Sequence, residues 1–179
     1  MQTELTQPGP LLQPNGNLAQ IGWSRQPLLD CNLEAARFYA LRPLQRFRLK
    51  RWDYYAIFTP QRFFSATIAD LGYAGNIFVY TLDFATHELH EEGLVIPLSR
   101  GLSLPRNSTS GDAHFANSHA RLDFLLTTAG RHISVDWPGF HSGRGIRAEI
   151  DLQVPADHQS MTRRRLKASS SPSQNRSGI

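Results

Sequence analysis

The stretch GIRAEIDLQVP (residues 145–155) decides the fold class, because apolar and polar residues alternate along most of its length. An extended chain points successive side chains to opposite faces, so the apolar residues here would share one face. This period of two is typical of a strand in a sheet with one buried and one solvated face. The apolar set is Ile146, Ala148, Ile150, Leu152 and Val154.

Further segments with strand character precede this stretch, and turn residues such as Pro60, Gly72 and Gly130 separate several of them. They are residues 52–59, 62–69, 76–84, 94–98, 120–128 and 131–137. Only residues 32–43 suggest a helix, and it is too short to connect parallel strands. We therefore predict a mainly β fold, an antiparallel meander forming a barrel or sandwich with little helix and disordered termini.

Composition divides the chain into three parts. Residues 1–20 are rich in proline and are predicted to form an extended N-terminal arm. Residues 21–161 contain all the strand segments and are predicted to form one β domain. Residues 162–179 have five basic residues, no acidic residue and no hydrophobic periodicity, which predicts a disordered basic tail.

The positive charge of the chain is concentrated in that tail. The formal net charge is +4, but residues 1–161 carry 14 basic residues against 15 acidic ones. The stretch LQRFRLKRWDYYAIFTPQRFF (residues 44–64) mixes basic and aromatic residues, as single-stranded nucleic-acid binders do. Its basic residues precede the predicted strand and do not alternate with the aromatic ones. We therefore expect the wall of a β domain here and no nucleic-acid partner.

The sequence shows no recognisable catalytic, metal or cofactor motif. His87 and His90 are not spaced as a zinc-protease pair, so we expect no metal and no cofactor. The single cysteine, Cys31, cannot form an internal disulfide, and neither a secretory signal nor a membrane span is evident. These features favour a cytoplasmic location. The sequence does not indicate an oligomeric state.

Four motifs occur in order along the chain: IGWSRQPLLDCN (residues 21–32), LKRWDYYAI (49–57), TIADLGYAGNIFVY (67–80) and DHQSM (157–161). Their order and spacing resemble those of the domain of unknown function 2804 family, over about residues 9–161. The fourth motif departs from the pattern, since Gln159 stands where relatives usually have a glutamate. This departure argues against an acid/base role at that position.

The resemblance implies a fold but no established activity. The family is distantly similar to lipocalin-like, calycin-type β-barrels, among which relatives of hydroxyneurosporene synthase and tocopherol cyclase act on isoprenoid chains. A lipocalin-like barrel binding an apolar lipid or isoprenoid-like ligand is therefore expected. The motif positions that we expect to contact a ligand are Trp23, Arg25, Lys50, Trp52, Tyr54 and Tyr73.

The resemblance also implies that relatives continue for about another domain's length beyond the fourth motif. The chain would then correspond to the N-terminal half of the family's domain. Residues 162–179 would be the product of a frameshift or truncation, or else a genuine basic tail.

Three functional hypotheses stay open at this point. The first is a binding module whose barrel interior is lined by Trp52, Tyr54, Phe78, Tyr80 and Phe124. The second is an enzyme that hydrates or cyclises an isoprenoid or lipid, with Asp53, Asp70 and His158 as candidate catalytic residues. The third is a truncated, inactive fragment.

The charged motif residues also allow a purely structural interpretation. They would form a salt-bridged plug at one end of a barrel, covered by Trp23, instead of a catalytic cluster. The residues of this predicted plug are Arg25, Lys50, Arg51, Asp53 and Asp70.

Overall fold

The N-terminal part of the chain forms only short strands and turns of 3-10 helix. The computed structural model describes residues 3–107, 109–155 and 157–159, together with the backbone of residues 162–163. Strand β1 (Gly9–Pro10) pairs in parallel with β3 (Leu29–Asp30), and β2 (Trp23–Ser24) lies between them in sequence. Two 3-10 helices follow, Leu33–Ala35 and Arg42–Phe47, within and beyond the segment expected to be helical.

The first large sheet is a four-stranded antiparallel meander in the order β4-β5-β6-β7. Its strands are β4 (Arg51–Phe58), β5 (Arg62–Asp70), β6 (Ala74–Asp83) and β7 (Leu89–Pro97). Gly72 forms the turn between β5 and β6 with a φ of +82°, and a Cβ atom there would lie 1.9 Å from the Arg46 carbonyl oxygen. Only glycine fits this close approach of turn to 3-10 helix.

The second large sheet has five antiparallel strands in the order β12-β11-β10-β9-β8. Its strands are β8 (Leu102–Ser103), β9 (Ala113–Ala116), β10 (Arg121–Leu126), β11 (Gly130–Trp137) and β12 (Ile146–Gln153). A single helical turn, α1 (Phe140–Gly143), connects β11 to β12. Strand β13 (Thr162–Arg163) pairs with β2, and residues 164–179, most of the predicted tail, lie outside the described residues.

The inner faces of the two large sheets share one hydrophobic core. Its fully buried members include Ile68, Ile77 and Val79 from the first sheet, and Phe115 and Phe124 from the second. Four of the five alternating residues of β12 also pack against this core. The fifth, Val154, is exposed because β12 ends one residue before it.

The mainly β, antiparallel fold with little helix is confirmed by these elements. The strand pairings of the described residues form separate sheets and no closed barrel. The lipocalin-like barrel or sandwich therefore stays a prediction. Within the same residues, no helix is both long and apolar enough to cross a membrane.

One prediction is wrong. Trp52, Tyr54, Phe78 and Tyr80 do not face a common interior with Phe124, because they lie on the face of the first sheet that points away from the core. On β4 the residues turned toward the core are Asp53, Tyr55 and Ile57, whereas Trp52 and Tyr54 are exposed. Phe124 alone of that set is a core residue. The space between the sheets is filled by the apolar side chains of both inner faces, and these four aromatic residues are not among them.

Candidate functional site

A cleft of about 390 Å³ lies beside the N-terminal half of β4, which is an edge strand of the first sheet. The segment around β3 and the loop after β8 form its other walls. Most of its lining surface is apolar, and four charged residues, Lys50, Arg51, Asp53 and Arg106, also line it. The apolar lining residues are Pro27, Leu29, Leu33, Trp52, Leu104 and Pro105.

Ion pairs fix two of the arginines that line this cleft. Arg106 makes hydrogen bonds of 2.9 Å to both oxygens of Asp30 and one of 2.9 Å to Glu34. Arg51 donates a 3.1 Å hydrogen bond to Asp70. The Arg106 contacts connect the loop after β8 to the segment around β3, whereas the Arg51 contact lies within the first sheet and joins β4 to β5.

Lys50 is held over an aromatic ring at the same edge. Its ammonium group lies 4.1 Å from the ring centroid of Tyr73 and donates to the Leu71 carbonyl oxygen. The cation–π contact accounts for the exposed position of Tyr73 beside a lysine. Lys50 lines the first cleft, but Tyr73 does not.

A second cleft, of about 640 Å³, continues from the first. The two share Cys31, Leu33, Arg51 and Arg106 as lining residues. Asp70 lies here, where it also accepts hydrogen bonds from Ser99 (2.7 Å) and the Gly72 N–H (2.8 Å). Burial acts to raise the pKa of Asp70, but these hydrogen bonds and that of Arg51 outweigh burial and lower it. Asp70 is thus held ionised as an acceptor, which suits a structural role.

A third cleft, of about 590 Å³, brings Asp53 and His158 together at the other side of β4. Tyr54 and Arg131 also line it, and Asp53 lines the first cleft as well. Burial raises the pKa of Asp53, although the nearby Arg131 guanidinium and Tyr55 hydroxyl oppose the rise. Burial and the charge of Asp53 raise the pKa of Tyr55 to about 12. Asp53 is therefore the one candidate catalytic residue whose surroundings favour holding a proton.

Arg131 extends into the same region from the second sheet. It is buried on the inner face of β11 and donates a 2.7 Å hydrogen bond to the Gly111 carbonyl oxygen. Sequence reasoning missed Arg131 and Tyr55. A signal was available for both, since Arg131 is in phase with Ile133, Val135 and Trp137, and Tyr55 is in phase with Asp53.

The structure disperses the other predicted site residues. Arg25 lies 5.1 Å over the ring of Trp23 and forms a 2.8 Å ion pair with Glu4, and neither Trp23 nor Arg25 lines any of the three clefts. Lys50 and Trp52 line the first cleft and Tyr54 the third. Their binding of a ligand stays a prediction.

The predicted plug is not one network. Arg51 pairs with Asp70, as that interpretation requires, but Arg25 pairs with Glu4 and Asp53 lies near Arg131. The charged residues of the motifs therefore act in at least two separate places. Within the described part of the chain, no group of three or more His, Cys, Asp or Glu side chains is placed to hold a metal ion.

Comparison with known proteins identifies the family and nothing finer. Neither a search of curated proteins nor a search of solved structures gave a match to the chain. The model of a family described as a domain of unknown function, DUF2804, matches residues 2–164. That match spans both large sheets and all three clefts, and the chain therefore belongs to the DUF2804 family.

Proposed function

We propose that the protein binds an apolar small molecule, of the lipid or isoprenoid-like class, in the first cleft beside β4. The observation that carries this proposal is the composition of the cleft wall, which is mostly apolar with few charged groups. Its volume of about 390 Å³ falls within the range of small-molecule sites, which have this same mixture of apolar walls and few polar groups. A lipocalin-like relation of the fold would agree with such a ligand.

In this proposal, different lining residues contact different parts of the ligand. Trp52 and Leu104 both line the cleft and would contact an apolar chain. Lys50 and Asp53, which are charged lining residues, would contact a polar end group. Since the first and second clefts are continuous, a ligand longer than the first cleft could extend past Leu33 toward Asp70.

The test is a titration with cis-parinaric acid, an apolar probe whose fluorescence rises on leaving water. We expect saturable binding by the unmodified chain, and binding at least about tenfold weaker by Trp52→Ala, which removes one wall of the cleft. Phe58→Ala is the matched control, because Phe58 lies on the same strand and the same face but outside the cleft lining. Equal binding by Trp52→Ala and the unmodified chain, or no binding at all, would contradict the proposal.

A second candidate function follows from Asp53 alone. A carboxyl group with a raised pKa, lining two clefts, is suited to donate a proton to a carbon–carbon double bond. The resulting carbocation would add water or close a ring, with the proton returned to solvent. The enzyme would then be of the hydration or cyclisation type, with His158 at the mouth of the third cleft.

This candidate is tested by incubation with geranylgeraniol and mass spectrometry of the extracted products. We expect the gain of one water, or a cyclised isomer, with the unmodified chain and its loss in Asp53→Asn. Asp151→Asn is the control, because Asp151 is an exposed carboxylate on the second sheet. Product formation that survives Asp53→Asn would remove Asp53 from any mechanism.

A further inference from the structure

The outer face of the first sheet is an aromatic surface. Pairing of the four strands aligns one residue of each strand in a row across the sheet. One such row consists of Tyr54, Thr67, Phe78 and Gly93. Four such rows give 16 positions that point away from the core. We call this surface the aromatic face, after its large residues: Trp52, Tyr54, Phe58, Phe63, Phe78 and Tyr80.

Large apolar side chains of this face are open to solvent. Trp52 is 67% exposed, Phe58 73% and Val95 72%. Monomeric proteins rarely leave contiguous apolar patches of this kind uncovered, and such patches mark interaction sites. Exposed apolar residues of this face lie on both edge strands, β4 and β7.

The side chains of the face are already ordered by contacts with each other. Phe58 packs on Phe63 with ring centroids 4.6 Å apart, and Phe63 packs on Tyr80 at 5.3 Å. The hydroxyls of Tyr54 and Tyr80 lie 3.3 Å apart and bridge β4 to β6 above β5. A partner would therefore meet a preformed surface, and binding would cost little side-chain entropy.

Charge is nearly absent from this face. Among its 16 positions in the described strands, Glu91 is the only Asp, Glu, Lys or Arg, and it lies exposed on edge strand β7. Interface cores are depleted in charge and enriched in Tyr, Trp and Phe, with polar groups at the rim. The aromatic face has this composition, with Glu91 in the position of a rim residue.

The face is large enough for a specific interface. With strands about 4.8 Å apart and rows about 6.8 Å apart, the 16 positions cover about 500 Å² in projection. Two such faces in contact would bury about 1,000 Å² or more, which reaches the lower bound for a specific protein–protein interface. A small molecule would leave most of this surface in water.

We propose that the aromatic face packs against the same face of a second copy of this chain, in a two-fold dimer. Two sheets packed face to face lie about 10 Å apart, and a two-fold axis lets one surface serve as its own complement. The nearly uncharged composition suits this occupant, because each copy brings only one carboxylate, at the rim. The dimer would also place Trp52, which lines the first cleft, at the boundary of the interface.

Sedimentation velocity of the full chain over a range of concentrations tests this dimer. We expect a reversible monomer–dimer equilibrium, weakened at least about thirtyfold by Phe58→Glu, because that change places a charge against the ring of Phe63 within the aromatic packing. Leu125→Glu is the matched control, since Leu125 is an exposed apolar residue on the outer face of the second sheet. It should leave the dimer unchanged.

Val95→Glu is the second test variant, should Phe58→Glu fail to fold, because Val95 is exposed on the opposite edge strand of the same face. Circular dichroism establishes that each variant is folded before it is compared. A monomer at every concentration, polydisperse aggregates in place of a dimer, or a dimer equally sensitive to Leu125→Glu would overturn the proposal.

Discussion

The outer faces of the two large sheets differ in composition. The outer face of the first sheet is aromatic and nearly free of charge. The outer face of the second sheet is covered by ion pairs, among them Arg121 with Asp123 at 2.6 Å and Arg147 with Asp136 at 2.7 Å. The inner faces, by contrast, both contribute apolar side chains to one core.

This difference indicates which of the two sheets has an outer surface suited to contact with another molecule. A sheet needs only one apolar face to build a two-layer core, and the second sheet meets that requirement. The first sheet has two apolar faces, and its edge strand β4 also lines the first and third clefts. The candidate ligand site, proton donor and dimer surface thus all involve the first sheet, while the second sheet contributes the other half of the core.

The largest effect that we expect on the charged face is from Asp123→Asn. Asp123 is buried and accepts hydrogen bonds from Arg121 and His114, both of which would lose a charged acceptor. Hydrogen bonds to charged groups of this kind contribute about 2 kcal/mol, so we expect a loss of about that size in the free energy of unfolding. Urea denaturation measures it.

Asp151→Asn is the control for that change, since the Asp151 side chain is exposed and exposed ion pairs contribute little. A loss in Asp151→Asn as large as in Asp123→Asn would show that burial does not distinguish the two carboxylates.

The contribution of Asp123 should also depend on pH. Burial acts to raise its pKa, but the hydrogen bonds from Arg121 and His114 outweigh burial and lower it. A carboxyl group with a lowered pKa in the folded state stabilises the fold above its unfolded value, near 3.8. The difference in stability between the unmodified chain and Asp123→Asn should therefore narrow as pH falls through the folded pKa. A difference that widens in acid would contradict this assignment.

On the aromatic face, in contrast, removing a buried polar group should not destabilise the fold. The Thr67 hydroxyl is buried beneath the aromatic layer and has no hydrogen-bond partner in the described structure. Thr67→Val keeps the shape and removes the unsatisfied hydroxyl, so we expect unchanged or increased stability, by up to about 1 kcal/mol. Thermal unfolding of the variant measures the change in stability. A loss of more than about 1 kcal/mol would indicate that the hydroxyl has a hydrogen-bond partner.

The smallest effect that we expect is from His132 on the charged face. The hydrogen bond to Asp151, and a second contact with Glu149, raise the pKa of His132. A histidine with a raised folded pKa stabilises the fold below its unfolded pKa, near 6.5, and loses that effect as pH rises through the folded value. His132→Gln should therefore lower the melting temperature at about pH 5 more than at about pH 9. An equal decrease at both would rule out a charge effect.

The same contrast between faces explains what could be predicted from the sequence. The alternation in β12 is clean because its outer residues, such as Glu149 and Asp151, are solvated, and the fold class followed from it. In β4, β5 and β6 the alternation is absent because both faces have apolar or aromatic residues. Periodicity therefore located these strands but could not assign Trp52 and Tyr54 to the outer face.

The candidate site was harder to predict than the fold. The KRWD motif located one wall of the first cleft, because Lys50, Trp52 and Asp53 lie within its four consecutive residues. Leu104 and Arg131 come from distant strands and loops, and only the packing of the two sheets brings them to β4. No spacing within one segment carries that information.

Hydroxyl-radical footprinting at low and high protein concentration tests most directly whether the two outer faces meet different surroundings. Mass spectrometry would report oxidation of Trp52, Tyr54 and Phe58 on the aromatic face, and of His132 on the charged face. We predict that oxidation of the three aromatic residues falls as concentration rises, while oxidation of His132 stays constant. Oxidation of the three aromatic residues that does not change with concentration would contradict the central claim that the aromatic face is covered by a second copy.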